Sequence, residues 1–541
     1  MAWSERFKQR LEAGGAPMFA LDFQAPDLLS DTLTEERFVL HSHDAPASDR
    51  HIAHAIESVD GSGQRISLRR WESSIGGLRV NLAGSNVAQL VAKRIQRGMM
   101  AELKVGFEGF RYEEFQTCGL YVYRGLSGSR NNWSIEFDDL FTAFQGPASV
   151  ASSESFYEDA GTRTTLIQFW DTTDASLLAN TSGFEKDATS GAKGLMLCQP
   201  SGGDEFYLKW TSKTSLSFDV VNSNALNTIL SDMSGPPSVS PGDAITSIGY
   251  VNDPVPDVAH KILFGSAVGS STVVMPSNWH MGLNVNSHNF NRDDFERWKN
   301  RFTGTYANFL ADFIVPSPLE NPFRGLEEFM ASFGAWLVIK EGGLSWRFVQ
   351  QIVGGSDFSA KYCAENLITD DDIVSEDGYQ VYHQDAPVEY FQVRFNAGAA
   401  GAGRAGINEP VRTMPASFAL DHASRAFSFG SSSNLDLALS NMRHRLAPWY
   451  HRIPDEMRLT LKGWKFAELV PGDVVTLQSD YIYNMVNGSQ LERVESSTTG
   501  FGFVGKVKRT HQDTQYMVTG VDVDWSGFTT SVQLSTLPNT E

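Results

Sequence analysis

Apolar and polar positions alternate along most of this chain with the period of strands rather than helices. In residues 17–150 the segments MFALDF (18–23), RISLRRW (65–71), LRVNL (78–82), MAELKVGF (100–107), GLYVYRGL (119–126) and NWSIEF (132–137) show two-residue alternation or β-branched and aromatic enrichment. One helix interrupts them: Ser85 is a good N-cap, Val87, Leu90, Val91 and Ile95 recur at helical spacing, and Gly98 stops it. At the N-terminus, Trp3, Phe7 and Leu11 form one stripe of a short helical arm closed by Gly14-Gly15.

Residues 151–240 also read as β, with more Ser, Thr and Gly between LIQFW (166–170), GLMLCQP (194–200), EFYLKW (205–210) and SLSFDVV (215–221). SGPPSVSPGD (234–243) reads as a boundary. Between 244 and 335 the period changes. DVAHKILFG (257–265) and RDDFERWKNRF (292–302) look helical. A third helix, 323–333, has Asn321 as cap, Pro322 at its first position and Phe323, Leu326, Phe329, Met330 and Phe333 on one face. A hairpin follows directly: AWLVIK, the turn EGG, then LSWRFVQ. From 346 onward the reading returns to β. Asn434 opens a helix carrying Leu435, Leu439, Met442 and Leu446, and the strands MRLTLKGW (457–464), DVVTLQS (473–479), GFVGKVKR (502–509), QYMVTGVDVDW (515–525) and TTSVQLS (529–535) come after it. Strands, one helix and more strands thus occur twice without a repeated sequence, which predicts an architectural duplication.

Composition narrows the function classes. The 541 residues exceed what one core usually organises, so three or four domains are expected. With 44 Lys+Arg against 64 Asp+Glu the net charge is −20, which speaks against a DNA-gripping protein and suits a surface that DNA passes without sticking. Cys118, Cys198 and Cys363 form no CxxC pair, so neither a disulfide framework nor a zinc ribbon is expected. The N-terminus has no uninterrupted apolar run of the signal-peptide kind, and no run is long enough to predict a membrane span. The N-x-[ST] frames at Asn132, Asn180 and Asn487 therefore carry no expectation of glycosylation.

Four stretches invite chemistry. Gly401-x-Gly403-x-x-Gly406 matches the dinucleotide fingerprint in letters, but Pro410 blocks the helix that must follow, so a flexible Gly/Ala loop is expected. His41, His43, His51 and His54, with Asp44 and Asp49, could place imidazoles around a divalent metal, yet Pro and small residues between them suit a surface loop. Asp370, Asp371 and Asp372 are adjacent and cannot all face one calcium ion, which favours a solvated turn. Trp170, Tyr207 and Trp210 could stack on a glycan, or fill a core. No GxSxG, HExxH or GxxxxGK[ST] is present, so no catalytic residue, cofactor site or metal site is assigned and no enzyme activity is expected.

The order of motifs adds a resemblance. NDPVPDVAHKILFGSAVGSSTVVMPSNWHMGLN, then FNRDDFERW, then NPFRGLEEFMASFGAWLVIKEGGLSWRF resembles the baseplate hub proteins of bacteriophage tail tips, where a helix leads into a hairpin of this kind. MRLTLKGWKFAELVPGDVVTLQS is similar to that family's second barrel, with Pro471-Gly472 at the centre of a turn. TSGFEKDATSGAKGLMLCQPSGGDEFYLKWTS looks like the small β module many tail-tip proteins carry. The resemblance implies a mainly β protein with a few helices (α+β). Its expected units are a first tube-like β-barrel with the helical arm (1–150), a small β module (151–240), an α/β core (241–345) and a second tube-like barrel (346–541). It further implies a homotrimeric ring in the virion that joins the tail tube to distal tip proteins and encloses the channel through which DNA leaves. The distal tail protein is the expected neighbour and the tape measure protein a further candidate. A sixfold distal tail protein, a receptor- or carbohydrate-binding tail protein and a cell-wall hydrolase are the competing readings.

Overall fold

The computed structural model describes residues 3–23, 38–46, 50–141, 163–181, 194–220, 238–264, 290–305, 311–315, 322–349, 366–374, 379–382, 390–394, 404–407, 419–423, 449, 456–478 and 514–537, apart from 62, 69–70, 96, 131, 172, 203–205 and 332. The chain is mainly β with few helices.

The arm is helix α1 (Glu5–Ala13), capped by Ser4, whose side chain accepts from the Phe7 backbone N–H. Its expected stripe is buried, with Phe7 packed on Phe107. Ten strands follow: β1 (Pro17–Phe23), β2 (Phe38–His41), β3 (His51–Ile52), β4 (Ile56–Asp60), β5 (Gly63–Ser67), β6 (Glu72–Ile75), β7 (Leu78–Ala83), β8 (Met100–Phe107), β9 (Gln116–Ser129) and β10 (Asn132–Asp139). Eight of them form one sheet in the order β3-β2-β1-β8-β9-β10-β7-β4. The sheet closes through Ala55, which donates to the His41 carbonyl next to β2 and accepts from Ala83 of β7. Helix α2 (Ser85–Arg94) packs on β7, β9 and β10. The cap of α2 is Gly84 rather than the expected Ser85, which becomes the first helical residue; Gly84 can take the φ of +91° that the turn out of β7 requires.

Residues 163–315 supply β11 (Arg163–Thr165), β12 (Trp170–Asp171), β13 (Ser176–Leu178), β14 (Gly194–Gln199), β15 (Phe206–Lys213), β16 (Ser217–Val220), β17 (Ser238–Val239), β18 (Ala244–Asp253), helix α3 (Val255–Phe264), helix α4 (Arg292–Thr305) and β19 (Ala311–Val315). The order β11-β18-β14-β15-β16-β13 is closed by the bridge between Leu166 and Ala179, making a small barrel with its own core of Leu177, Met196, Leu208 and Phe218. Helix α5 (Pro322–Ala331) leads into the expected hairpin, β20 (Ala335–Lys340) and β21 (Gly343–Phe348), in which every strand residue is buried and the turn residues Glu341 and Gly342 are half-buried.

The C-terminal strands are β22 (Leu367–Thr369), β23 (Tyr379–Tyr382), β24 (Tyr390–Arg394), β25 (Arg404–Ile407), β26 (Ala419–Ala423), β27 (Glu456–Lys462), β28 (Val474–Gln478), β29 (Thr514–Asp524) and β30 (Thr529–Thr536). The order β22-β28-β29-β30-β27-β23 closes where Ile373, just after β22, bridges Leu461 on β27. The expected helix from Asn434 and the expected strand 502–509 lie outside the described residues.

The predicted duplication is visible in the strand orders. β4-β7-β10-β9-β8 and β23-β27-β30-β29-β28 are the same path with every neighbour antiparallel. The two barrels share one apolar core, joined where Phe19 meets Trp525 and Phe107 meets Trp464. Hairpin β5–β6 leaves the first barrel and adds to the second: β5 pairs antiparallel with β29, Gln64 opposite Val521. The expected strand 65–71 therefore ends at Ser67. Trp71 turns into the left-handed region with φ +55° and stacks on Trp336 of β20, ring centroids 5.6 Å apart.

Candidate functional site

Three of the stretches that carried the family resemblance, 290–298, 321–348 and 457–479, converge on one buried ion cluster. Arg347 lies on β21 with its guanidinium wholly buried. Its Nε donates to Asp473 Oδ1 at 2.9 Å and its Nη1 to Asp294 Oδ2 at 2.6 Å. Lys340, on β20, donates to Asp473 Oδ2 at 3.1 Å and to the Glu468 carbonyl. Ser345 Oγ donates to Asp294 Oδ2 at 2.7 Å, and the Arg347 guanidinium lies 4.5 Å from the centroid of the Trp298 ring.

Local structure aims each group. Asp294 is in the first turn of α4, whose N-cap Asn291 accepts from the Asp294 backbone N–H and donates to the Lys340 carbonyl. Asp473 closes the turn of residues 470–473, its N–H donating to the Val470 carbonyl. Gly472 takes φ +102° there, where a Cβ would lie 2.7 Å from Arg347 Cβ and from Trp336 Cζ2, so only glycine fits. Trp336 Nε1 donates to the Pro471 carbonyl at 3.1 Å. Burial alone would raise both carboxyl pKa values. The nearby cations outweigh it, Arg347 most for Asp294 and Lys340 most for Asp473, and hold both well below the usual carboxylate range. The two buried carboxylates are thus neutralised by buried Arg347 and Lys340, with half-exposed Arg297 pairing with Asp294 from the rim, an arrangement that fixes the hairpin on the second barrel rather than presenting a group to a substrate.

Hairpin β5–β6 seals the other side. Gln64 Nε2 donates to the Ile339 carbonyl at 2.7 Å, and its Oε1 accepts from the Ile339 N–H at 2.9 Å. A cavity of about 40 Å³ between Trp3, Gln64, Tyr121, Ile339, Val521 and Trp525 has room for a water or two, not for an organic ligand.

The structure brings His41, His43 and His51 together, but not on a surface loop. His41 is fully buried at the end of β2 beneath Tyr112, and His43 stacks on Phe115. His41 Nε2 and His51 Nδ1 are 2.8 Å apart, hydrogen-bonded to each other, and burial together with His43 and His51 pushes the His41 pKa down to about 4. His54 stands apart, exposed and paired with Asp44. Among the described residues no group of three or more His, Cys, Asp or Glu is arranged to hold a metal ion; Asp49 lies outside them.

Asp370–Asp372 form a single 3-10 turn in which only Asp371 is exposed; Asp372 turns back to accept from Thr369 N and Oγ1 and pairs with Lys465. Gly406 lies within β25 instead of at a helix N-terminus, while Gly401 and Gly403 fall outside the described residues. Trp170 and Trp210 are buried in the small barrel and cannot stack on a glycan; the Tyr207 side chain is outside the described residues. Sequence reasoning passed over Asp294, Lys340, Arg347 and Asp473. The signal was present for two of them, since Lys340 and Arg347 are the only charged residues in the two mostly apolar strands of the hairpin.

No protein-family model matches this chain, and no curated protein matches it. Among solved structures, the 43 kDa tail protein of prophage MuSo2 from Shewanella oneidensis aligns over 96% of this chain and 98% of its own, at 8% identity and a TM-score of 0.33. A chain of the virion of a native gene transfer agent particle aligns over 45% of this chain and 84% of its own, at 14% identity and a TM-score of 0.20.

Proposed function

We propose that this chain is a structural component of a bacteriophage tail and acts at the tail tip as a hub ring, without catalytic activity. The observation that carries the reading is the recurrence of one five-strand path in two closed barrels of a single chain. The ordered motifs that resemble hub proteins supply the cluster binding the second barrel to the hairpin between them. A protein built this way can serve as an adaptor: two like barrels per chain and three chains per ring present six similar units to a sixfold tube and a threefold face to the tip. A sixfold distal tail protein needs one such barrel, so the second barrel weighs against that alternative.

In this reading the work is done by interfaces. The neighbouring tail proteins dock on the ring faces, DNA passes through the lumen, and the net charge of −20 makes that lumen acidic enough to let it pass without adhesion. Electron cryomicroscopy of the purified protein tests the proposal. A threefold ring of about three chain masses is expected; a sixfold ring or a stable monomer would overturn it. Zymography on host cell walls is expected to show no clearing.

A further inference from the structure

The duplicated barrels differ at one edge. In the second barrel, β29 pairs with β28 up to Met517, and Val518 still exchanges bonds with the turn before β28: its N–H goes to Asp473 O and its carbonyl accepts from Gly472. Thr519 then bulges from the β29–β30 ladder, Gly520 resumes it, and β5 pairs along Gly520–Asp522. In the first barrel, β9 follows the same course. It pairs with β8 up to Val122; Tyr123 bonds to Met99 O and accepts from Gly98; Arg124 bulges; Gly125 resumes the ladder with β10. Gly98 and Gly472 hold matching positive φ values, +92° and +102°.

Beyond the bulge the likeness stops. A Cβ at Gly520 would meet Arg65 of β5 at 3.2 Å, whereas one at Gly125 meets nothing within 4 Å. Among the described residues no strand pairs with the β8 side of Arg124–Ser129, and Arg124, Ser127, Gly128 and Ser129 are exposed. An open sheet edge is a template for another strand.

We infer that this edge receives the β24–β25 hairpin of a second copy of the chain. β5–β6 is the excursion between β4 and β7; the β24–β26 sheet is the excursion between their counterparts, β23 and β27. The first excursion is used within the chain, first barrel to second. The second belongs to a sheet that pairs with no strand of either barrel among the described residues, which leaves it for the step from second barrel to the next chain's first. Such a head-to-tail contact closes rings. The inference rests on the ring reading in needing a second copy, not on the ring's place in a virion.

Two measurements on the full-length protein test it. Hydrogen exchange is followed at concentrations where light scattering reports monomer and oligomer; amides 124–129 are expected to slow at least tenfold on assembly. Separately, a Gly125→Cys chain is mixed with a Gly406→Cys chain under mild oxidation, since β25 is the free edge of its hairpin. Disulfide-linked pairs are expected in a mixture and absent from each variant alone; the added side chain at Gly125 meets no neighbour within its own chain. An oligomer whose 124–129 amides exchange as in the monomer, with no link formed, overturns this edge assignment and leaves the ring standing. A chain that is monomeric at every concentration overturns both.

Discussion

Arg347 is the residue on which the junction turns, because it bonds to carboxylates from two elements that are far apart in sequence. Arg347→Ala removes the fully buried partner that Asp294 and Asp473 share, leaving each with one outer cation, Arg297 and Lys340, and is expected to cost about 3–5 kcal/mol in urea unfolding. An unchanged midpoint would show the cluster to be incidental. Gly472→Ala should cost about 1–3 kcal/mol through strain at its left-handed φ. Acid stability should fall in two steps. The folded pKa of His41 lies below its ordinary 6.5, so the unfolded chain takes the proton first; stability from the neutral ring is whole above about 6.5 and drains away down to about 4. The depressed carboxylates of Asp294 and Asp473 contribute stability above their ordinary 3.8, and that is lost only as pH falls below it. Thermal melts across pH should show the upper step in the native chain and a smaller one in His41→Gln, since burial also lowers the pKa of His43. These residues were legible to different degrees. The histidines were visible as a group in sequence, but their burial was not, since Tyr112 and Phe115 cover them from a turn some sixty residues later.

At the scale of elements, periodicity found what is local. The arm, the hairpin β20–β21, helix α5 and strands β8, β10 and β27–β30 stand close to where alternation or helical spacing put them, because each buries one face and its own sequence must mark that face. What failed was destination. RISLRRW reads as one strand, yet β5 stops at Ser67 so that Trp71 can reach Trp336 and Gln64 can bond to Ile339. Gln64→Ala strips both backbone bonds from Ile339 and is expected to cost about 1–3 kcal/mol, seen as a lowered denaturation midpoint with faster exchange of the Ile339 amide. Ser4→Ala removes the cap of α1 and should cost about 0.5–2 kcal/mol, measured the same way. A cost in Gln64→Ala no larger than for an exposed surface change would mean the hairpin is held by Trp71 alone.

At the scale of the molecule, the two barrels behave as one body because their cores merge through Phe107, Trp464 and Trp525 and because β5, which follows β4 of the first sheet, pairs into the second. Denaturant unfolding of the native chain is therefore expected to melt them together, while the small barrel, with its separate core, melts on its own. Tryptophan fluorescence does not separate the units, but hydrogen exchange at increasing urea does. Simultaneous loss of protection in all three units, or independent loss in the two large barrels, would refute that picture.

The sequence by itself determined the β-rich class, the helices around the central hairpin, the strand-rich character of both ends of the chain and the acidic charge, since each is written in local periodicity or in simple sums. Only the tertiary structure decided that both barrels share one strand path, that charges from α4, the hairpin and the turn before β28 neutralise one another, and that one of two matching strand edges is filled from within the chain while no strand among the described residues fills the other. Those outcomes depend on pairings between residues as much as a few hundred positions apart, and a pairing leaves no periodic mark on either partner.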